Sequence, residues 1–327
     1  MEINKVLVAD AVDQACVDLL KENKIDVDCK FKLTKEQLIK EIPNYDGLIV
    51  RSDTKVTKEV IQASKLKVIG RAGAGVDNID VDAATKQSIV VLNTPGGNAI
   101  SACELTCTLI TSLARNVVPG AASLKAGRWD RKLFSGHEIY CKVLGIVGLG
   151  RIGREVAVRM QAWGMKTVGF DPIVSADDAA KFNVKFLELD KIWPIADYIT
   201  VHVPLIPETR NLIDAKVLAQ CKKGVKIVNV ARGGIIDEHA LFQALESGQC
   251  NGAGLDVYEQ EPPTEEITWK LIKHPKVVAT PHLGASTTEA QVRVAVEVSE
   301  QFVALTKTNP SFTETLGIIN PSVVAKK

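Results

Sequence analysis

Lys142-Val143-Leu144-Gly145-Ile146-Val147-Gly148-Leu149-Gly150-Arg151-Ile152-Gly153 is the stretch from which the rest of the chain is read. A short apolar run, rich in β-branched residues, leads directly into three glycines spaced G-x-G-x-x-G. A helical period follows at once in Ile152, Val156 and Met160. Strand, tight turn and helix in that order are the context a dinucleotide-binding fingerprint needs. The three glycines serve different ends. Gly148 permits the turn, Gly150 lets backbone approach a pyrophosphate, and Gly153 lets the helix lie close on the strand. The helix N-terminus then offers unpaired N–H groups and partial positive charge to phosphates. A second apolar strand, Thr167-Val168-Gly169-Phe170, ends in Asp171, 18 residues beyond the last glycine, where an acidic side chain accepts from a ribose diol. Its charge repels a 2′-phosphate, so the expected cofactor is NAD rather than NADP.

Working outward, 327 residues predict two domains rather than one. The composition, 46% hydrophobic and 24% charged, is that of an ordinary globular protein. Lys plus Arg number 40 against 39 for Asp plus Glu, so no bulk charge recruits nucleic acid or a membrane surface. The seven cysteines are scattered and contain no C-x-x-C pair, which predicts neither a disulfide framework nor a metal centre. Cys103 and Cys107, four apart on an apolar helix, read as buried thiols. The N-terminus reads as the approach to a strand rather than a signal peptide, and no apolar run reaches membrane-spanning length. A cytoplasmic setting is expected.

The chain on either side of the fingerprint alternates short strands with helices. Before it, strands are expected at 5–9, 25–29 (with one wetter face), 47–50, 66–69 and 89–92. Helices are expected near 13–23, from a Thr34 cap, near 57–64 and at 80–86. Such alternation implies parallel α/β sheets, whose ligands gather at strand C-terminal ends, where Arg51 and Arg71 fall. Past the fingerprint, six parallel strands of a Rossmann sheet are expected. The breaker clusters 93–98 and 280–286 read as hinges about which two lobes close to exclude water. Long helices follow them, near 99–118 and 287–306. The predicted fold is therefore α/β, with two Rossmann-like or flavodoxin-like doubly wound parallel-sheet domains. Residues 1–98 and 286–327 would form a discontinuous substrate-binding domain into which a cofactor domain, 99–285, is inserted.

An NAD-linked oxidation of an alcohol needs a base for the hydroxyl proton and a cation for the substrate. Of the histidines at 137, 202, 239, 274 and 282, His282 follows a strand and Pro281 inside a hinge, where it can face a cleft. Imidazole suits reversible proton transfer near neutral pH. Arg232 lies just past a strand end in Asn229-Val230-Ala231-Arg232-Gly233-Gly234, and its planar fork can hold a carboxylate. Glu261, in Glu259-Gln260-Glu261-Pro262-Pro263, can orient an imidazole. Each alone reads equally well as a loop residue; three strand-end groups of these kinds beside a fingerprint do not.

The chain resembles the D-isomer-specific 2-hydroxyacid dehydrogenases through GRAGAGVDNID, NTPGGN, ELTCTLI, GIVGLGRIGREVA, NVARGGIIDE, GLDVY-x-x-EPP and PHLGAST, which together run through nearly its whole length. The resemblance implies that His282 is the acid–base, Glu261 its partner, and Arg232 the holder of the substrate carboxylate and carbonyl. It further implies that the backbone of Gly73, Ala74, Gly75 and Val76 meets the carboxylate. Arg51 and Arg71 would meet a substrate phosphate, joined by Arg131 from another subunit. Cofactor contacts carry over to Gly148, Gly150, Arg151, Ile152, Gly153, Asp171, Val203, Ala231, Arg232, Asp256, His282 and Gly284. Val203 replaces a threonine of close relatives and forfeits a hydroxyl contact, and Ala74 likewise leaves only backbone. The implied reaction is oxidation of a phosphorylated 2-hydroxy acid, 3-phosphoglycerate, at the start of serine synthesis. Longer relatives continue past the position of Lys327 into further domains, so a short form or a truncated chain, without serine feedback, is expected.

Two other readings stand beside this one. A glyoxylate or hydroxypyruvate reductase of the same family would not need the arginines at 51, 71 and 131. A non-enzymatic NAD-sensing corepressor-like protein would bind NAD without turnover. A homo-oligomer is expected in any case, from the surface of helix 99–118 and the basic, aromatic loop 127–132.

Overall fold

A computed structural model describes residues 1–324. The chain begins with β1 (Lys5–Val8), α1 (Gln14–Glu22), β2 (Asp26–Cys29), α2 (Lys35–Glu41), β3 (Gly47–Val50), α3 (Lys58–Gln62), β4 (Val68–Arg71), α4 (Val81–Lys86) and β5 (Val90–Leu92). It continues through α5 (Ala99–Arg115), α6 (Val117–Lys125), β6 (Val143–Val147), α7 (Arg151–Ala162), β7 (Lys166–Phe170), α8 (Ala176–Ala180), β8 (Lys185–Phe186), α9 (Leu189–Ile192) and β9 (Tyr198–Val201). The remainder is α10 (Ala215–Gln220), β10 (Val225–Asn229), α11 (Glu238–Ser247), β11 (Cys250–Leu255), α12 (Glu266–Ile272), β12 (Val277–Ala279) and α13 (Thr288–Thr306). Two compact units result: Met1–Asn98 with Ala285–Lys327, and Ala99–Gly284.

The first unit is built on a parallel sheet in the order β2-β1-β3-β4-β5, the flavodoxin-like doubly wound arrangement. Successive strand residues alternate between two buried cores, which is what an apolar strand covered on both faces requires. Val6, Val8, Ile49 and Val68 meet α1 and α13 on one side, while Leu7, Leu48, Val50 and Ile69 meet α2, α3 and α4 on the other. α13 returns to this sheet through Phe302, whose ring fills the space above two glycines. A Cβ on Gly47 would stand 2.7 Å from that ring, and one on Gly70 2.5 Å. Thr34 caps α2 in a full capping box with Gln37, as its sequence predicts.

The second unit holds a parallel sheet ordered β12-β11-β10-β9-β6-β7-β8. Read from β8, this is the Rossmann order with one further strand. α5, α7 and α8 cover one face and α9 to α12 the other, each over its own core. The strand order reverses between β6 and β9, so the crevice at their C-terminal ends lies directly after Gly148.

Four expectations need correction. The Rossmann sheet has seven strands, not six, because β12 pairs with β11 beyond the six-strand order. The helix expected over 99–118 breaks at Asn116, which adopts φ +51°, a left-handed conformation asparagine tolerates; α6 then starts afresh with Pro119 in its first turn. β2 starts one residue later than expected and is the edge strand, so its drier face is only partly covered: Val27 packs half-buried on the core beside buried Ile25, while Asp26 and Cys29 are exposed. Cys103 is buried, but Cys107 is only half-buried.

Candidate active site

The Gly148 turn assigns its three glycines different duties. Gly148 sits at φ +96°, donates its amide to the Phe170 carbonyl at 2.8 Å, and leaves 2.5 Å between the carbonyl oxygen of His202 and any Cβ it might carry. Gly153 lies against the carbonyl of Gly148, so a side chain there would force α7 off β6. Gly150 is the opposite case: nothing lies within 4 Å of where its Cβ would stand. It caps α7 at an open N-terminus whose first residues are Arg151 and Ile152. Two glycines are thus required by packing, and the third keeps a surface clear for something brought from outside. Asp171 accepts from the amides of Leu149 (2.8 Å), Ile173 (2.8 Å) and Val174 (3.2 Å), which fixes its carboxylate beside the turn. Val203 borders the same turn, its Cγ1 lying 3.0 Å from the position of a Gly148 Cβ. These residues fit a dinucleotide pyrophosphate over the helix end and a ribose at Asp171.

The strand ends β10, β11 and β12 bring together Arg232, Glu261 and His282. His282 adopts φ +55°, and its amide donates to the Asp256 carbonyl at 2.8 Å. Its Nδ1 lies 2.5 Å from Glu261 Oε2. Glu261 uses its other oxygen to accept from the Tyr258 amide at 3.0 Å. With Nδ1 engaged by the carboxylate, Nε2 is the ring nitrogen left to meet a substrate; it has no hydrogen-bond partner among the described residues. Burial by itself would raise the Glu261 carboxyl, but the hydrogen bonds from His282 and the Tyr258 amide, with the charges of His282 and Arg232, outweigh it. The net effect holds Glu261 below the usual carboxylate range.

Sequence reasoning missed the residues beneath this group. Asp256 is wholly buried, and its carboxylate accepts from the Thr280 hydroxyl (2.6 Å) and from the amides of Leu283 (2.7 Å) and Gly284 (2.8 Å). Burial raises its carboxyl above the ordinary value against those hydrogen bonds. Expected only as a cofactor contact, Asp256 also anchors the loop bearing His282. Glu238 performs the same service for Glu261, accepting from the Glu259 amide (2.8 Å) and the Thr268 hydroxyl (2.5 Å). Asn229 ties the Arg232 loop, donating to the Arg232 carbonyl at 2.8 Å and accepting from Ala231 at 2.9 Å. Gly233 lies so close to the Tyr258 carbonyl that no side chain fits. Asn229, the polar last residue of β10, and Asp256, directly after β11, carried a signal in the sequence; Glu238, the first residue of α11, carried none.

In the first unit, Arg51 and Arg71 end the neighbouring strands β3 and β4, with Val50 and Arg71 in register. Arg51 Nε is buried and has no hydrogen-bond partner among the described residues. Gly73, at φ +151°, lies under the Arg71 guanidinium, where a side chain would collide with it. The loop after it is pinned through carbonyls: Gly73 accepts from the Thr94 amide (3.0 Å) and Ala74 from Asn93 Nδ2 (2.5 Å). The amides of Ala74, Gly75 and Val76 donate to no described residue, leaving a half-buried nest suited to an anion. Arg131 lies in the other unit, in an exposed 3-10 turn over Arg131–Phe134, and its side chain makes no hydrogen bond or ion pair among the described residues.

Comparison with known proteins agrees with this geometry. Residues 107–284 match the family described as D-isomer specific 2-hydroxyacid dehydrogenase, NAD binding domain. The chain is 54% identical over 306 residues to D-3-phosphoglycerate dehydrogenase of Rattus norvegicus, covering 93% of this chain but only 57% of that protein. Among solved structures it is similar to a glyoxylate reductase from Paecilomyes thermophila, with TM-score 0.87, 29% identity, and 98% and 100% of the two chains covered. It is also similar to an NAD-dependent formate dehydrogenase from Staphylococcus aureus in complex with NAD, with TM-score 0.81, 30% identity, and 94% and 96% covered. The chain therefore belongs to the D-isomer specific 2-hydroxyacid dehydrogenase family, with NAD as its cofactor.

Proposed function

We propose that the chain carries out the NAD-dependent oxidation of D-3-phosphoglycerate to 3-phosphohydroxypyruvate, the first step of serine formation. The observation that carries the choice of a phosphorylated acid is the cationic group formed by the strand-end arginines Arg51 and Arg71, on the neighbouring strands β3 and β4. An unphosphorylated 2-hydroxy acid gives such a group nothing to bind. When bound, the nicotinamide supplies the hydride acceptor. His282 Nε2 takes the proton of the substrate hydroxyl as the carbinol hydrogen leaves, and returns it in the reverse direction. Glu261 fixes the ring and stabilises the imidazolium that forms. Arg232 holds the carboxylate and polarises the developing carbonyl. The amides of Gly73 to Val76 bind the carboxylate, and Arg51 and Arg71 bind the phosphate, joined by Arg131 from a second copy. The cofactor rests on Gly148, Gly150, Arg151, Ile152, Gly153, Asp171, Val203, Ala231, Asp256 and Gly284.

The partner copy is supported by Val117, Val118, Leu124, Trp129 and Leu133, all exposed large apolar side chains on one short segment of the second unit. Such a concentration is uncommon on a monomer's surface. A homo-oligomer working in the cytoplasm fits this surface, and no helix among the described residues is long and apolar enough to cross a membrane.

The deciding experiment follows NADH formation with 3-phosphoglycerate in wild type and Arg71→Ala. A rise in KM for 3-phosphoglycerate that far exceeds the rise for an unphosphorylated 2-hydroxy acid is expected. Equal rises would remove the phosphate assignment and favour a glyoxylate or hydroxypyruvate reductase, whereas NAD binding without turnover of either acid would favour an NAD-sensing binding protein.

A further inference from the structure

We propose that Asp10, Thr54 and Asn78 form a clamp that positions Arg51, and so sets the affinity for the substrate's phosphate group. This rests on the phosphate-binding role given to Arg51 above. Residues Arg51 to Thr54 leave β3 as a short turn outside any helix or strand, so their backbone groups must find partners elsewhere. Two buried side chains supply them. Asp10, just past Ala9 after the end of β1 and 5% exposed, accepts the Arg51 amide at 2.6 Å and the Thr54 amide at 3.2 Å on one oxygen, and the Thr54 hydroxyl at 2.6 Å on the other. Asn78, 9% exposed, donates from one nitrogen to the carbonyls of Arg51 and Thr54, both at 2.7 Å. Its own carbonyl accepts the Val56 amide at 2.8 Å, which continues the seam past the turn.

The same two residues are therefore gripped twice, through their N–H groups by an acceptor and through their C=O groups by a donor. A four-residue surface turn held in this way has little freedom, and the direction in which Arg51 leaves the backbone is set before any ligand arrives. Pre-set direction matters because a guanidinium binds an anion through a planar fork with strict geometry. The enclosed Nε shows that the base of the side chain is held as well. Asp10 and Asn78 contact Arg51 through its backbone rather than its guanidinium, and Thr54 braces Asp10 through its amide and hydroxyl, so all three act as positioning residues.

The test measures KM and kcat for 3-phosphoglycerate, together with the inhibition constant of D-glycerate as a competitor lacking the phosphate. Thr54→Val removes one arm of the clamp from a half-buried site, and Thr54→Ser keeps it. In Thr54→Val, KM should rise about tenfold, the size expected from weakening one hydrogen bond to a charged group. kcat and the D-glycerate constant should not change, and Thr54→Ser should recover the wild-type KM. In an Arg51→Ala background the Thr54→Val change should add nothing. Asp10→Asn should act in the same direction; if it fails to fold, the Thr54 pair still decides. Equal shifts for both ligands, or effects that multiply with Arg51→Ala, would overturn the clamp. If Arg51→Ala is selective for the phosphorylated ligand and Thr54→Val is silent, the clamp fails while the phosphate reading stands; if Arg51→Ala is not selective, both fall.

Discussion

The two units present opposite kinds of strand-end chemistry. In the second unit the polar residues are closed on one another: His282 on Glu261, Glu261 on the Tyr258 amide, and Asp256 on Thr280, Leu283 and Gly284. In the first, the polar groups at the strand ends are held from behind and left open in front. Arg51 is clamped through its backbone, and the amides of Ala74 to Val76 donate to no described residue. A group that moves a proton must be held in one tautomer by a permanent partner, so its site is internally satisfied. A group that binds an anion must keep its donors for that anion. On the reading proposed above, the difference places proton transfer in the second unit and phosphate binding by Arg51 and Arg71 in the first.

The sharpest way to break that division is His282→Ala. Turnover should fall by about a thousandfold, within the range of general acid–base contributions, while NAD affinity measured by nicotinamide fluorescence stays close to wild type. An active variant would return His282 to the status of a loop residue. Next comes Arg51→Ala in the other unit. It should raise KM for 3-phosphoglycerate by about 10- to 100-fold, the worth of hydrogen bonds to a charged group. A fall in kcat of equal size would mean that the unit takes part in the chemical step.

The glycines test whether the nucleotide turn separates packing from binding as its geometry does. Gly153→Ala should cost about 1–3 kcal/mol in urea unfolding, because the new Cβ meets the Gly148 backbone. Gly150→Ala meets nothing and should cost only a few tenths of that scale, yet it should weaken NAD binding measured by calorimetry. Equal effects of the two on stability would erase the distinction.

The smallest effect concerns Glu261. Its carboxyl is held below the ordinary glutamate value of 4.5, so the ionised form is favoured in the folded state. The stability it contributes is present above that ordinary value and is lost as pH falls through the lower folded one. Glu261→Gln should therefore lower the melting temperature at pH 7 and make progressively less difference below about pH 4. A gap that stays constant with pH would show that packing, not charge, holds the 258–261 loop.

What the amino-acid order determined alone is whatever depends on local periodicity and backbone freedom. The Gly148 to Gly153 spacing, the Thr34 cap and the alternation of strands with helices each follow from residues a few positions apart, and each appears in the structure. His282, Arg232 and Glu261 were also legible, because strand ends in a parallel sheet converge and all three sit just past one. The break at Asn116 escaped, since an asparagine in a helical period is ordinary until its φ is known. The supports escaped for a deeper reason. Asp10 and Asn78 reach Arg51 across 41 and 27 residues, and Glu238 reaches Glu259 across 21. Nothing in a polar side chain's own neighbourhood tells whether it will face water or a distant amide. Only the packed fold decides that, because burial makes an unpaired N–H or C=O expensive and the nearest buried acceptor or donor comes from whichever strand the topology has placed alongside.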